Sequence, residues 1–286
     1  MKDIGKYEQQ TEKIIELALL EDTSDGDITS RILISPEHKS RAIIIAKEAG
    51  VVAGIDITRS IFAKVEPTLS FKMLTKDGEN LKLGDRVAII SGSTLAILKA
   101  ERTALNLLSR LSGVATETKK YVSLIKGTKA IIRDTRKTTP GLRALEKNAV
   151  LSGGGSNHRF NLGDGILIKD NHIATLKKSG LNLKEIISKA RREIPSDMQI
   201  EMEVESLSAA IEANSAGVDI VLLDNMSPQQ MKVVVDRIGR GIKIEASGGI
   251  NLSNIRDVAA TGVDYIAIGA ITHSAKALDF SLDFES

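Results

Sequence analysis

"DIVLLDN", residues 219–225, sets four apolar residues in a row before Asp224 and Asn225. A strand with one solvated face alternates apolar and polar side chains. An unbroken run is buried on both faces, as in a parallel sheet wrapped by helices. The same rhythm recurs outward from this stretch in "AIIRDT" (130–135), "GILIKD" (165–170), "IEMEVES" (200–206), "IKIEAS" (242–247) and "YIAIGA" (265–270). Between the runs lie segments of helical period such as "SLSAAIEANSAG" and "SPQQMKVVVDRIG", the second opened by Ser-Pro and closed by Gly. Six such units predict an α/β fold built as a (β/α) barrel. No G-x-G-x-x-G turn follows any of the runs, which weighs against a doubly wound dinucleotide-binding sheet. The pattern leaves open whether the barrel stops short of eight strands or holds further, weaker ones.

The first hundred residues have another character. "TEKIIELALLED" reads as an amphipathic helix, and "RAIIIAKEAG", "SFKMLTKDG" and "RVAIISGS" read as strands with Gly or Asp-Gly turns. "STLAILKAERTALNLLSRLSG" follows as a long helix with a Ser cap and a Gly stop. The expected division is an α+β domain over residues 1–112 and a barrel over 113–270, with a tail, 271–286, packing back on the first domain.

The bulk numbers narrow the function. Net charge is +2 and aromatic content 3% with no Trp, so neither bulk electrostatics nor base stacking points to nucleic acid. The absence of Cys excludes disulfides, thiolate metal sites and a cysteine nucleophile. The N-terminal stretch has no signal-peptide h-region and no run approaches a membrane span, so a cytoplasmic enzyme is expected.

Chemistry in such barrels sits at the C-terminal ends of the strands. There the sequence places Arg133, Asp134 and Arg136, then Lys169 and Asp170, then Glu201, Glu203 and Glu205, then Asp224, then Glu245. Burying isolated charges costs about several kcal/mol each, so a ring of them requires either mutual pairing or a ligand. Asp134 and Glu245 are candidates for fixing neighbouring bases. Arg136, Lys137, His158, Arg159 and Lys169 suit an anionic substrate, while Glu203 and Asp224 suit a hard cation such as Mg²⁺. His158 and His172 lack the spacing of a zinc site. "EASGGI" and "AIGAIT" bring Gly248, Gly249 and Gly269 to the ends of the last two strands, with helices expected to start near Asn251 and Thr272. Paired glycine turns there are a recurrent phosphate cradle. "LSGGGSNHRFNLGDG" reads either as a flexible lid or as a packed backbone crossing.

"LLEDTSDGDIT", "AERTALNLLSRLSGVAT", "RDTRKTTPGLR", "GGGSNHRFNLGDGILIKDNH", "EVES", "LLDN" and "EASGGI" together resemble the motif series of the quinolinate phosphoribosyltransferases, the carboxylating nicotinate-nucleotide pyrophosphorylases of NAD biosynthesis. The resemblance implies an N-terminal α/β sandwich followed by an incomplete (β/α) barrel, and a homodimer whose active site draws on both subunits. It implies that Arg136, His158, Arg159 and Lys169 hold the quinolinate carboxylates, with Arg102 reaching in from the partner. Lys137 would face phosphoribosyl pyrophosphate (PRPP), and Glu203 and Asp224 would hold Mg²⁺ on its pyrophosphate. Ser247, Gly248, Gly249 and Gly269 would take the 5′-phosphate, with His273 close by. Lys137, Lys169, Glu203 and Asp224 are the implied catalytic set. A related pyrophosphorylase branch of molybdenum-transport operons lacks the "IKDNH" ending that this sequence has. Outside the resemblance, a barrel Schiff-base lyase would use Lys169 as its amine, and a non-enzymatic phosphate sensor would leave Glu203 and Asp224 without a task.

Overall fold

The computed structural model describes residues 4–178, 180–239 and 241–285. Two compact units share the chain. The first takes the described residues through Lys119, then Lys137–Gly154 and those from Ala270 on; the second takes Lys120–Arg136 and Gly155–Gly269.

The first unit opens with α1 (Ile4–Thr23) and α2 (Ile28–Leu33), continues through β1 (Lys39–Ala46), β2 (Gly50–Val51), α3 (Ile55–Val65), β3 (Ser70–Met73), β4 (Asn80–Leu81) and β5 (Arg86–Ser93), and enters α4 (Thr94–Leu124). Its main sheet has the order β12-β1-β5-β3, in which β12 (Phe280–Phe284) lies antiparallel to β1 with Ile44 opposite Leu282. β2 and β4 form a separate short pair. Ile43, Ile44, Val87, Ala88 and Ile90 from the sheet, with Ile61 and Phe62 of α3, fill the core.

The expected stop of the long helix at Gly113 is corrected: α4 runs through it to Leu124. A Cβ on Gly113 would lie 2.1 Å from the carbonyl oxygen of Lys276. The glycine therefore admits a second backbone at close range and does not end the helix. The expected boundary at 112/113 lies inside this helix. α5 (Arg143–Ser152) and α11 (Ala270–His273) also belong to the first unit.

The second unit is the parallel sheet. β6 (Ile131–Arg133), β7 (Ile166–Ile168), β8 (Ile200–Val204), β9 (Ile220–Asp224), β10 (Lys243–Ser247) and β11 (Tyr265–Ala267) correspond to the six apolar runs. They line up as β6-β11-β10-β9-β8-β7, every pairing parallel. Among the described residues β6 and β7 do not pair with each other, so the barrel is incomplete, and Ser156 adds one parallel bridge to the free side of β6. Residues Ile220 to Leu223 of β9 are all buried, as a strand covered on both faces requires.

The helices α6 (Asp170–Lys178), α7 (Leu183–Glu193), α8 (Leu207–Ala216), α9 (Pro228–Ile238) and α10 (Ile255–Ala260) connect these strands. α9 begins as its sequence suggests. Ser227 and Gln230 form a reciprocal capping box, Pro228 takes the first turn, and Gly239 caps the end. The helix after the glycine pair starts at Ile255, not near Asn251. Asn254 turns its side-chain amide to the Gly249 carbonyl at 3.0 Å and makes no capping bond. The helix after Gly269 starts at Ala270, two residues before Thr272.

Candidate active site

Successive strand ends of the second unit carry the charged side chains. Because side chains alternate along a strand, Glu201, Glu203 and Glu205 share one side of β8. Glu201 is buried, Glu203 is intermediate and Glu205, just past the strand, is exposed. The same alternation puts Glu245 two residues below Ser247 on β10, the first fully buried and the second intermediate. The site therefore has a buried tier and an accessible tier.

The accessible tier holds Lys169, whose Nζ donates to Glu203 Oε2 at 3.0 Å. At the end of β9, Asp224 Oδ2 accepts from the Asn225 side-chain amide at 2.9 Å. Arg159 donates from one terminal nitrogen to the Gly165 carbonyl at 3.3 Å, and its buried Nε has no hydrogen-bond partner among the described residues. Burial lowers the Arg159 pKa below its ordinary value, and the positive charge of Arg136 lowers it further. The Glu201 carboxylate opposes both effects in part.

The buried tier lies on His158. Its Nε2 is 2.8 Å from Glu201 Oε2 and 3.6 Å from Glu245 Oε1. Arg133 donates to Glu245 Oε2 at 2.7 Å, and its guanidinium lies 3.4 Å from the centre of the Tyr265 ring. The His158 backbone N–H donates to the fully buried Asp134 at 2.8 Å. Desolvation, with the Glu201 charge, pushes the Glu245 carboxyl up to about 7 against the opposing pull of His158 and Arg133. Burial alone would lower the His158 pKa, but the Glu201 hydrogen bond and the two carboxylate charges outweigh it and leave the pKa raised.

Gly248 and Gly249 have φ of 85° and 62°, and the non-glycine Asn225 has φ 52°. A Cβ on Gly248 would fall 2.7 Å from the Asn225 backbone nitrogen, which itself donates to the Ser247 carbonyl at 3.0 Å. The first glycine of the pair thus lets two strand-end loops touch. Among the described residues, nothing stands within 4 Å of the Cβ direction of Gly249.

Arg102, Lys137 and His273 belong to the first unit. Arg102 projects from α4 with 63% of its side chain exposed, Lys137 is exposed, and His273 closes α11 with Nδ1 2.6 Å from Ser274 Oγ. The loop after Lys137 is fastened within that unit. The fully buried Glu146 accepts from the Thr139 backbone N–H at 3.0 Å and from Arg110 Nη2 at 2.7 Å, while Thr272 Oγ1 donates to the Lys137 carbonyl at 2.8 Å. Arg143, on the far side of the turn, donates to Thr138 Oγ1 at 2.9 Å. In the three-glycine loop, a Cβ on Gly153 would meet the Ala115 carbonyl at 2.5 Å, and Ser156 hydrogen-bonds along β6 in both directions. The loop is a packed crossing at its start.

The sequence offers Asp134 and Glu245 as supports for neighbouring bases, and Glu245 does hold Arg133; it gives Arg133 and Glu201 no role and leaves Asn225 unremarked. Their type and position were visible; their partners were not, because those come from strands far apart in sequence.

Guanidinium, imidazole and ammonium groups gathered with carboxylates at the C-terminal edge of an incomplete parallel barrel define an enzyme of the α/β-barrel class. The quinolinate phosphoribosyl transferase C-terminal domain matches residues 114–283, and the N-terminal domain of the same description matches residues 27–112. This chain belongs to that family. It is 42% identical to the probable nicotinate-nucleotide pyrophosphorylase [carboxylating] of Bacillus subtilis, over 96% of this chain and 93% of that protein. It is 36% identical to the mitochondrial quinolinate phosphoribosyltransferase [decarboxylating] 2a of Nicotiana tabacum, over 96% and 82%. The crystal structure of NadC from Streptococcus pyogenes superposes with a TM-score of 0.91 at 40% identity, covering 100% of each chain.

Proposed function

We propose that the protein transfers the phosphoribosyl group of PRPP to the ring nitrogen of quinolinate, releasing pyrophosphate and CO₂ and yielding nicotinate mononucleotide for NAD synthesis. The observation that carries this reading is the set of cations at the strand ends: Lys169, 3.0 Å from Glu203, and Arg159, with a buried Nε that has no hydrogen-bond partner among the described residues. Such cations suit a ligand with closely spaced anionic groups, and a guanidinium can grip a carboxylate as a fork. The orphaned Nε of Arg159 is a further donor awaiting such a ligand.

In this reading Arg136, Arg159, Lys169 and His158 hold the diacid, with Arg102 supplied by the partner of a homodimer. Lys137 faces PRPP, and Ser247, Gly248, Gly249, Gly269 and His273 surround the 5′-phosphate. The pyridine lone pair needs no general base, so the binding residues act by placing the ring nitrogen against the anomeric carbon. Lys169 serves as a cation: its ammonium donates to a carboxylate, which disfavours the amine nucleophile of a Schiff-base lyase. After the new C–N bond forms, the ring nitrogen is positively charged. The electron pair left by departing CO₂ is stabilised next to it and takes one proton from solvent to form the C–H bond of the product.

Glu203 and Asp224 fit Mg²⁺ by donor chemistry. They are oxygen ligands at the ends of adjacent strands, and among the described residues each carboxylate meets a single side-chain donor. When bound there, the ion would supply charge stabilisation for the leaving pyrophosphate.

The test is an acceptor comparison with purified protein, PRPP and Mg²⁺. Quinolinate should yield equal amounts of pyrophosphate and CO₂, and nicotinate should yield neither. Absence of turnover with quinolinate defeats the proposal.

A further inference from the structure

We infer that Glu245, Glu201 and Arg133 are positioning residues for the acceptor site, clamping the His158 ring by its Nε2 edge from beneath. The inference rests on the functional reading above, in which His158 faces the diacid.

His158 is fixed from three strands. Arg133 ends β6 and is followed by Asp134, which takes the His158 backbone N–H at 2.8 Å. β8 supplies Glu201 at 2.8 Å from Nε2, and β10 supplies Glu245 at 3.6 Å. Glu245 is in turn held by Arg133 at 2.7 Å, and Arg133 lies on Tyr265, the residue opposite Glu245 in the parallel register. Each of Glu201 and Glu245 also keeps one buried oxygen, Oε1, with no hydrogen-bond partner among the described residues.

The reaction itself gives these carboxylates no chemical task. The ring nitrogen needs no base, CO₂ departs from a carboxylate already ionised, and the one proton that replaces it can come from solvent. The His158, Glu201 and Glu245 ligand atoms lie within 4.8 Å of one another, a spacing that would also admit a metal ion. Arg133 already supplies a fixed cation to Glu245, and a second cation beside it would be repelled. A guanidinium and an imidazole facing two acids make a support of opposed charges. Its product is a ring that cannot rotate away when the anionic acceptor arrives.

The test compares Glu245→Gln, Arg133→Met and the double variant with the unaltered enzyme. Each single change should raise KM for quinolinate about tenfold and leave KM for PRPP within about twofold. The double variant should lie nearer the unaltered enzyme, because no buried charge is left without its partner. A second readout does not depend on turnover. The chain has 4 His, so ¹⁵N-histidine labelling with His158→Gln for assignment isolates this ring. Its nitrogen signals should shift and broaden in Glu245→Gln. An unchanged ring signal, an equal rise in both KM values, or stoichiometric Zn²⁺ uptake by the unaltered protein that Glu245→Gln abolishes would overturn the inference. Should the unaltered enzyme show no turnover, the functional reading fails, and the ring spectrum alone decides whether the clamp exists.

Discussion

Lys169 and Glu203 are each other's partner, Nζ to Oε2 at 3.0 Å, although the proposed chemistry assigns one to the acceptor and the other to the metal. The Lys169 side chain is 45% exposed and that of Glu203 18%. A pair so open to water is worth only about 1 kcal/mol or less, so substrates can part it cheaply. Glu203→Gln should therefore tighten quinolinate binding in the absence of metal, by roughly twofold to fivefold. The same change should lower turnover at least about a hundredfold. Calorimetric titration alongside a pyrophosphate assay checks both. Weaker quinolinate binding in the variant would show that Lys169 is not released in this way.

The positive charge of Arg136 acts against that of Arg159. Arg159→Ala should therefore leave the thermal transition unchanged or slightly higher, while weakening quinolinate binding by about 2–5 kcal/mol, the usual cost of removing one member of a buried charge contact. Thermal scans with and without quinolinate measure both effects. A clear loss of stability with retained binding would assign Arg159 a structural task.

Stability should fall as pH rises from 5 to 8. The Glu245 carboxyl is raised from 4.5 to about 7, chiefly by burial, and the His158 pKa is raised as well. Both groups bind protons more tightly when folded. Their contribution is full below the unfolded pKa values and is lost as pH climbs through the folded ones. Carboxylates with lowered pKa, such as Asp264, act in the opposite sense, but below this window. A fall in Tm of roughly 5 °C is expected, and Glu245→Gln should flatten most of it. An identical pH profile in the variant would remove Glu245 as the source.

Arg102 and Lys137 provide the test of a shared site. Arg102→Ala and Lys137→Ala chains should each be inactive, and mixing them should restore activity in hybrid dimers carrying one intact site. Failure to recover, with subunit exchange shown by mass spectrometry, would place both residues in the site of a single subunit.

The six strands of the parallel sheet were legible because each is a short apolar run ending in a charge or glycine, and burial on both faces forces that pattern. Helix α9 was legible because Ser227, Pro228 and Gly239 act locally. Gly113 was misread for the opposite reason. Its cause is the backbone at Lys276, more than a hundred and fifty positions away, and no local pattern announces a crossing. The clamp under His158 was hidden in the same manner: β6, β8 and β10 contribute to it, and only the assembled sheet says that their acids and bases meet. Asn225 left a faint trace, since Asn adopts the left-handed conformation more readily than most residues.

The pairing of β12 with β1 has a consequence for biosynthesis. Residue Ala42 finds its opposite number in Phe284, so the first sheet lacks this outer member until the whole parallel sheet between them has been synthesised. Loop closure over such a distance is slow. The nascent chain thus carries an unsaturated β-edge while the parallel sheet is being made, and chaperone demand should be greatest before β12 emerges.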